Sequence, residues 1–509
     1  MESLVETLPD AQQTLEKGHR PAGESSAGKS HVRLAVWVFV AFQFLYMFTS
    51  TGRARTADEY NTFYTIESLV LHGSTAVPQA LQLHNFYGRL DLAGDPQAAY
   101  PPGHAFLSTP WYAVGNYVLA RLPGVPADDT DLIVGFASCL SSATFAALTV
   151  GFFFLLLTGI GVSPKASLLP TALVGVATPL FGYSGWLFSE PLSAAVLMAA
   201  AWILFGRGAN AISLRAAVAA GALLGLSTWI RPTNVLAIAI FALAVLVRDG
   251  KPGLRAAIAL GAASAVGVVA LLFRDMALFG NPFDFGYPTE AGGVKIGNTF
   301  DTPLTKGLYG FLLSPGKSVV LYAPPVILAA AGLRRLWKLE RGVATVATLV
   351  PVVYLIFFAR YSSWEGGYCV GPRYLVPSIA LFCLALGPIL AGEKSRARLI
   401  AWLLLGVGGI VQCVTLATSF LEDQAQRGRY YDATWHYNLG YSLGGQVDLF
   451  LKYLHGGQPA VLGRGWDRWF VFLHNGGIAT GTLVCMGAVM LAGLAVGLAG
   501  LARNIRTAS

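Results

Sequence analysis

Charge is what this sequence of 509 residues has least of: Asp, Glu, Lys and Arg together make up 12% of it, against 54% hydrophobic residues. A soluble chain carries about twice that charged fraction, which excludes an ordinary soluble globular domain. Cysteine is as scarce. Five residues without a CxxC or Cys/His metal spacing exclude a disulfide framework and a zinc module. Cys139, Cys383, Cys413 and Cys485 fall within apolar runs and read as small buried hydrophobes, while Cys369 lies in a loop without an obvious partner. Alternation of apolar and polar residues is missing too, and this excludes a membrane β-barrel. An early apolar stretch is also missing, since the first 30 residues are polar, so no secretory signal is read. Residues 1–31 are expected to form a disordered cytoplasmic tail ahead of an uncleaved first helix.

What is present is a succession of continuous apolar runs near 20 residues, each long enough to cross ~30 Å of hydrocarbon. In lipid the backbone must bond to itself, so these runs are helices. The fold class is therefore an all-α polytopic membrane protein of about 12 transmembrane helices (11–13). Spans are expected near 32–50, 132–157, 166–183, 191–206, 213–230, 232–247, 256–273, 319–333, 343–359, 373–391, 399–418 and 471–501. The apolar stretch at 104–122 is read as a juxtamembrane or re-entrant helix, because counting it as a span would invert everything downstream. With that choice the basic gaps around Lys165, Arg207 and Arg215, Arg248 to Arg255, Arg334 to Arg341 and Lys394 to Arg398 all fall on the cytoplasmic side. The net charge of +8 is thus a topology signal, and no nucleic acid is expected as a partner. Both termini lie inside a plasma (inner) membrane in this reading. Four longer segments face out: 51–131, 274–318, 360–372 and 419–470. The domains follow: a transmembrane core over 32–273, further helices over 319–418, and a last helix and tail over 471–509. The inner connections are too short to build a site, so any chemistry is extracytoplasmic.

The outer segments hold the candidates. Directly after the first helix comes TADEYNTFYTIESLVLHG, with Asp58 and Glu59 at the lipid boundary of an interfacial helix. Acids there favour a helix N-terminus, and a carboxylate at low dielectric can equally remove a proton from an acceptor hydroxyl. Tyr100-Pro101-Pro102-Gly103 leads rigidly into the juxtamembrane helix, which starts at His104. FSEPLSAAVLM places Glu190-Pro191 at a helix start, a common cap arrangement as well as a candidate site. Arg231, Lys317, Arg360 and Arg373 sit at outer membrane boundaries, where charge is costly and phosphate-binding cations are expected. Tyr374 follows Arg373 in WEGGYCVGPRYLVP.

An acidic pair after the first helix and a juxtamembrane helix led by Pro-Pro resemble the GT-C superfamily of membrane glycosyltransferases. The pattern is similar to the polyprenyl-phosphate-mannose protein mannosyltransferases and the lipid A aminoarabinose transferases. FSEPLSAAVLM, GLLGLSTWIRPTNVL, GFLLSPGKSVVLYAPP and WEGGYCVGPRYLVP extend the resemblance, in order, over most of residues 33–390, although Glu190 stands where relatives often carry Asp. The chain beyond 400 is unmatched. The resemblance implies an inverting transferase that takes a polyprenyl-phosphate sugar on the extracytoplasmic face, with a glycan, lipid or protein acceptor and the bilayer as partners. It places the catalytic base at Asp58, with Glu59 beside it. It also leaves Tyr100, His104, Glu190, Arg231, Lys317, Arg360, Arg373 and Tyr374 as substrate-binding candidates.

No organic cofactor is required by such chemistry. A divalent metal ion near Asp58 is left open, without ligand spacing to support it. Gly316-Lys317-Ser318 is not a nucleotide loop, because that motif needs glycine at position 311, which is Phe311. The aromatic run YYDATWHYNLGY at 430–441 fits a sugar platform or an interfacial belt. A transporter or lipid flippase is the rival reading, opposed by the concentration of polar residues in outer loops and by the lack of an inverted repeat.

Overall fold

The computed structural model describes residues 22–507, apart from 85, 207, 209–210, 288–289, 292–293, 296–298, 368, 393–394, 420–442 and 458–465. The aromatic run at 430–441, most of the 419–470 segment and the first 21 residues lie outside the described part.

The described chain is helical nearly throughout. α1 (Ala22–Thr49), α2 (Ala57–His72) and α3 (Pro78–Gln82) lead to a short antiparallel hairpin, β1 (Gly88–Leu90) on β2 (Pro96–Ala98), with Arg89 opposite Gln97. There follow α4 (Gly103–Tyr117), α5 (Thr130–Gly159), α6 (Pro164–Val176), α7 (Pro179–Tyr183), α8 (Glu190–Phe205), α9 (Leu214–Ser227), α10 (Val235–Asp249) and α11 (Leu254–Phe279). The second half holds α12 (Leu304–Leu312), α13 (Val319–Tyr322), α14 (Pro325–Leu339), α15 (Arg341–Arg360), α16 (Val376–Phe382), α17 (Leu386–Leu390) and α18 (Ser395–Ala417). It closes with α19 (Leu443–Leu454), α20 (Trp469–Asn475) and α21 (Thr480–Thr507).

Eight of the described segments are long and apolar enough to cross a membrane, and they cover eight of the twelve expected spans. The other four are made by shorter or broken helices: α6 with α7, α8, α9, and α13 with α14. Proline accounts for two of these breaks. Pro179 restarts the chain after Thr178, and Pro324-Pro325 interrupts it after Ala323, because proline offers no N–H and clashes with the preceding turn. α4 has 15 residues and carries Pro110 inside it, and it is not among those eight segments. Two expected boundaries move. α1 begins at Ala22, so residues 22–31 extend the first helix rather than the tail. The apolar stretch at 471–501 is not one helix: Gly477 has φ of +90°, α20 stops before it, and the last span starts at Thr480.

α5 is the hub. Its apolar residues run round the whole helix and most are buried, as expected of a helix enclosed on every side. It packs against α1, α4, α6 and α8. α9 lies close along α11 through small residues, with Gly225 against Ser264 and Gly267, a packing that lets membrane helices approach without a hydrophobic driving force. At one end of the bundle α2, α4, the turn before α8, the turn before α10 and the loop between α15 and α16 meet. That end carries the site.

Candidate functional site

The first turn of α2 is built by a reciprocal cap. Thr56 Oγ1 accepts from the Glu59 amide at 3.3 Å, and Glu59 Oε2 accepts from the Thr56 amide at 3.2 Å and the Arg55 amide at 3.1 Å. Each bond satisfies an N–H that a helix start otherwise leaves open. Glu59 Oε1 accepts from the Leu187 amide at 3.1 Å, so the same carboxylate ties α2 to the turn before α8. Glu59 is fully buried, and burial pushes its carboxyl up while Arg55 opposes that shift. Its oxygens are spent on structure.

Asp58, one residue earlier, points the other way. Its Oδ2 accepts from Arg373 Nη1 at 2.7 Å. Arg373 Nε donates to Glu190 Oε1 at 2.7 Å, and Arg231 donates to the same oxygen. Four residues separated by more than 300 positions thus form one charge-balanced chain, Asp58–Arg373–Glu190–Arg231. Glu190 has no exposed side-chain surface, Arg373 shows 9% and Asp58 21%, so the chain is open at the Asp58 end.

Local geometry explains the convergence. Glu190 is the first residue of α8, followed by Pro191. Arg231 precedes Pro232 in extended backbone, where a helix cannot continue. Arg373 follows Gly371, whose φ of +59° and close approach to the Tyr322 ring admit no side chain. Its Nη1 also donates to the Gly366 carbonyl at 3.3 Å. Gly103 lets α4 begin against Trp229, since a Cβ there would sit 2.6 Å from the Trp229 carbonyl oxygen.

Aromatic rings wall this chain. The Arg373 guanidinium lies 4.1 Å from the centroid of Phe188, and that of Arg231 5.4 Å from Tyr374, distances at which cation and ring attract. Tyr374 stacks on Phe358 at 4.5 Å, and Tyr100 meets Tyr287 edge-on at 5.6 Å and Tyr87 at 6.2 Å. Burial, reinforced by the Asp58 charge, pushes the hydroxyls of Tyr87 and Tyr100 up. They remain protonated and can donate a hydrogen bond.

Of the sequence candidates, Asp58, Glu190, Arg231, Arg373, Tyr374 and Tyr100 are gathered here. Lys317 is buried one layer away, and its ammonium donates to the Cys369 carbonyl at 2.9 Å, supporting the loop that carries Arg373. Arg360 is exposed and donates to the Phe300 carbonyl at 3.0 Å, apart from the cluster. His104 is buried against Phe145, and burial pushes its imidazole down to about 4. It is neutral at pH 7 and cannot serve as a phosphate cation. Phe188, Tyr87 and Tyr287 escaped the sequence reading. Phe188 lies in the FSEP motif itself, whereas Tyr287 meets Tyr100 from a distant loop that an Arg89–Asp284 ion pair ties to β1. Among the described residues no His, Cys, Asp or Glu groups of three or more could hold a metal ion.

A cavity of about 720 Å³ lies further along α2, lined by Leu69, Val70, Asp91, Asp95, Gln97 and Phe106 among others. No cation lines it, so it is not suited to a phosphate.

No family model and no curated protein matches the chain. Among solved structures it is similar to ArnT from Cupriavidus metallidurans bound to undecaprenyl phosphate, at 14% identity and a TM-score of 0.46, over 93% of this chain and 77% of that one. The apo form of that protein matches at 15% identity and a TM-score of 0.44, over 93% of this chain and 76% of that one.

Proposed function

We propose that the protein is a GT-C type membrane glycosyltransferase that moves a sugar from a polyprenyl-phosphate donor to an acceptor hydroxyl on the extracytoplasmic face. The observation that carries this reading is the Asp58–Arg373–Glu190–Arg231 chain: one carboxylate partly open to solvent beside two arginines, at one end of an apolar bundle. Each arginine has five N–H donors in a planar fork, more than the two carboxylates use. The remainder suit the oxygens of a lipid phosphate.

In this reaction Asp58 takes the proton of the acceptor hydroxyl. The acceptor oxygen then attacks the anomeric carbon from the face opposite the phosphate, the bond from that carbon to the phosphate oxygen breaks, and polyprenyl phosphate leaves. Charge grows on the departing phosphate, where Arg373 and Arg231 stabilise it more in the transition state than in the ground state. Glu190 stays paired with both arginines and holds their forks in place. The tyrosine and Phe188 rings offer apolar faces and phenol donors to a sugar ring.

The test is release of polyprenyl phosphate by the purified protein from a panel of polyprenyl-phosphate sugars, with membrane extract supplying acceptors. Donor-specific release lost in Asp58→Asn supports the reading and names the sugar. Solute or lipid flux without release from any donor overturns it in favour of a transporter.

A further inference from the structure

We infer that Asp467, from the C-terminal region that no motif explained, is a positioning residue for the reactive carboxylate. It acts through Arg55 and Glu59 on the two segments that deliver Asp58 and Glu190 to Arg373. Only the kinetic part of its test rests on the transferase reading.

Asp467 is buried and spends both oxygens on arginines of the segment between α1 and α2. Oδ1 accepts from Arg53 Nε at 3.2 Å, and Oδ2 accepts from Arg55 Nη1. The Arg55 side chain is 2% exposed, donates through Nη2 to Thr51 Oγ1 at 2.7 Å, and lies 5.0 Å from the Trp186 ring. The backbone N–H of Arg55 donates to Glu59 Oε2, and Glu59 Oε1 holds the Leu187 amide. Leu187 directly precedes Phe188, which lies under Arg373, and stands three residues before Glu190. Hydrogen bonds and an ion pair therefore link Asp467 through Arg55 to Glu59 and the Leu187 amide, which stand one and three residues along the backbone from Asp58 and Glu190.

The neighbours of Asp467 hold the same segment. Its amide donates to Ala417 O at 3.1 Å, Arg468 donates to Thr49 O at 2.7 Å, and Trp469 Nε1 donates to Phe48 O at 3.0 Å. The segment at 467–469 thus closes over the end of α1 from more than 400 positions away. Glu59 is buried with Arg55 as the cation that opposes its neutralisation, and Asp467 is the anion that fixes Arg55. Without it Arg53 and the desolvated Arg55 each lose an ion pair, and the turn they organise is held less firmly. Misplacing a reacting group by about 1 Å costs about 100-fold in rate.

Asp467→Asn keeps the shape and removes the charge. Amide hydrogen exchange at Arg55, Thr56 and Leu187 is expected to speed up about tenfold. kcat is expected to fall about 100-fold while the donor KM stays within about twofold, the signature of a group lost only from the transition state. Asp467→Glu should restore most of both. Arg248→Gln, which breaks the Arg248–Glu340 pair at the opposite end of the bundle, serves as the control and should leave those three amides unchanged. Arg53→Gln, at a partly exposed position, gives a milder version of the same pattern if Asp467→Asn does not fold. Unchanged exchange, exchange matched by Arg248→Gln, or faster exchange with undiminished kcat overturns the inference. If the wild type releases polyprenyl phosphate from no donor, the function proposed above falls and the exchange result alone decides the role of Asp467.

Discussion

Two charged assemblies share the turn before α8, and they use the same residue types differently. In the chain Asp467–Arg55–Glu59 both oxygens of each acid are engaged, and Asp467 and Arg55 are each 2% exposed. Among the described residues of Asp58–Arg373–Glu190–Arg231 and their surroundings, Asp58 uses a single oxygen and Glu190 Oε2 has no hydrogen-bond partner. Burying a charge is costly unless it is paired and hydrogen-bonded throughout, so the first assembly has the form of a brace. The second keeps acceptor capacity and solvent access at one end, which is what a base requires and a brace does not.

Adjacent residues of one helix turn give the sharpest way to break this comparison. Asp58→Asn should lower kcat about 1,000-fold, the scale of general-base catalysis, with the thermal midpoint nearly unchanged. Glu59→Gln should lower the midpoint, because Gln offers one acceptor oxygen where three backbone N–H groups now bond. Its stability loss is expected at about 1–3 kcal/mol. Release assays and thermal denaturation of both variants read this directly. Equal stability losses in the two would merge the assemblies into one structural unit.

A smaller effect is expected at the shared arginine. Arg373→Lys retains the charge but replaces a fork that reaches Asp58, Glu190 and Gly366 by a single ammonium. Donor KM should rise and kcat/KM should fall about 100-fold, a loss of the size expected for a bidentate charged contact. A variant with unaltered donor KM would place the phosphate elsewhere.

The all-α polytopic architecture and eight of the twelve expected spans were legible because scarcity of charge and the length of apolar runs are properties of composition. Asp58, Glu190, Arg231 and Arg373 were legible one by one as acids and cations at helix boundaries. Their union was not, because it depends on Gly371 turning the loop and on how α2, α8 and α10 start, which no spacing encodes. Glu59 was read both as part of a Thr56–Glu59 cap and as the acid beside Asp58, and its hydrogen bonds supply the cap. Asp467 was invisible, since its partners lie more than 400 positions away and nothing local marks it. The break at Gly476-Gly477 was missed because apolar residues on both sides hide it from hydropathy.

His104 supplies a pH test beside the Asp58–Arg231 chain. Its imidazole titrates at about 6.5 when unfolded and is pushed down to about 4 by burial in the folded protein. Below about pH 6.5 the unfolded chain therefore binds a proton that the folded chain refuses, and stability falls as pH drops from there towards 4. The full loss is on the order of 3 kcal/mol. Thermal midpoints of the wild type and His104→Leu, measured between pH 7 and pH 4, should diverge in slope, with the variant flatter. Parallel slopes would mean that the buried imidazole is solvated or protonated in the folded state.

The smallest effect separates two arginines that hydropathy places alike. Arg360 and Arg373 both stand at the end of an apolar span, and both were candidates to hold phosphate. Arg373 is enclosed by Asp58, Glu190 and Phe188, whereas Arg360 is exposed and its side chain donates, among the described residues, to the Phe300 carbonyl. An exposed boundary cation can snorkel to headgroups without serving a site. Arg360→Gln should therefore leave kcat and donor KM within about twofold of wild type, measured in the assay that registers the loss in Arg373→Lys. A tenfold rise in donor KM would show that the lipid phosphate extends past the Asp58–Arg231 chain to the rim of α15, and the apparent division between a gathered and an outlying arginine would belong to the donor-free protein alone.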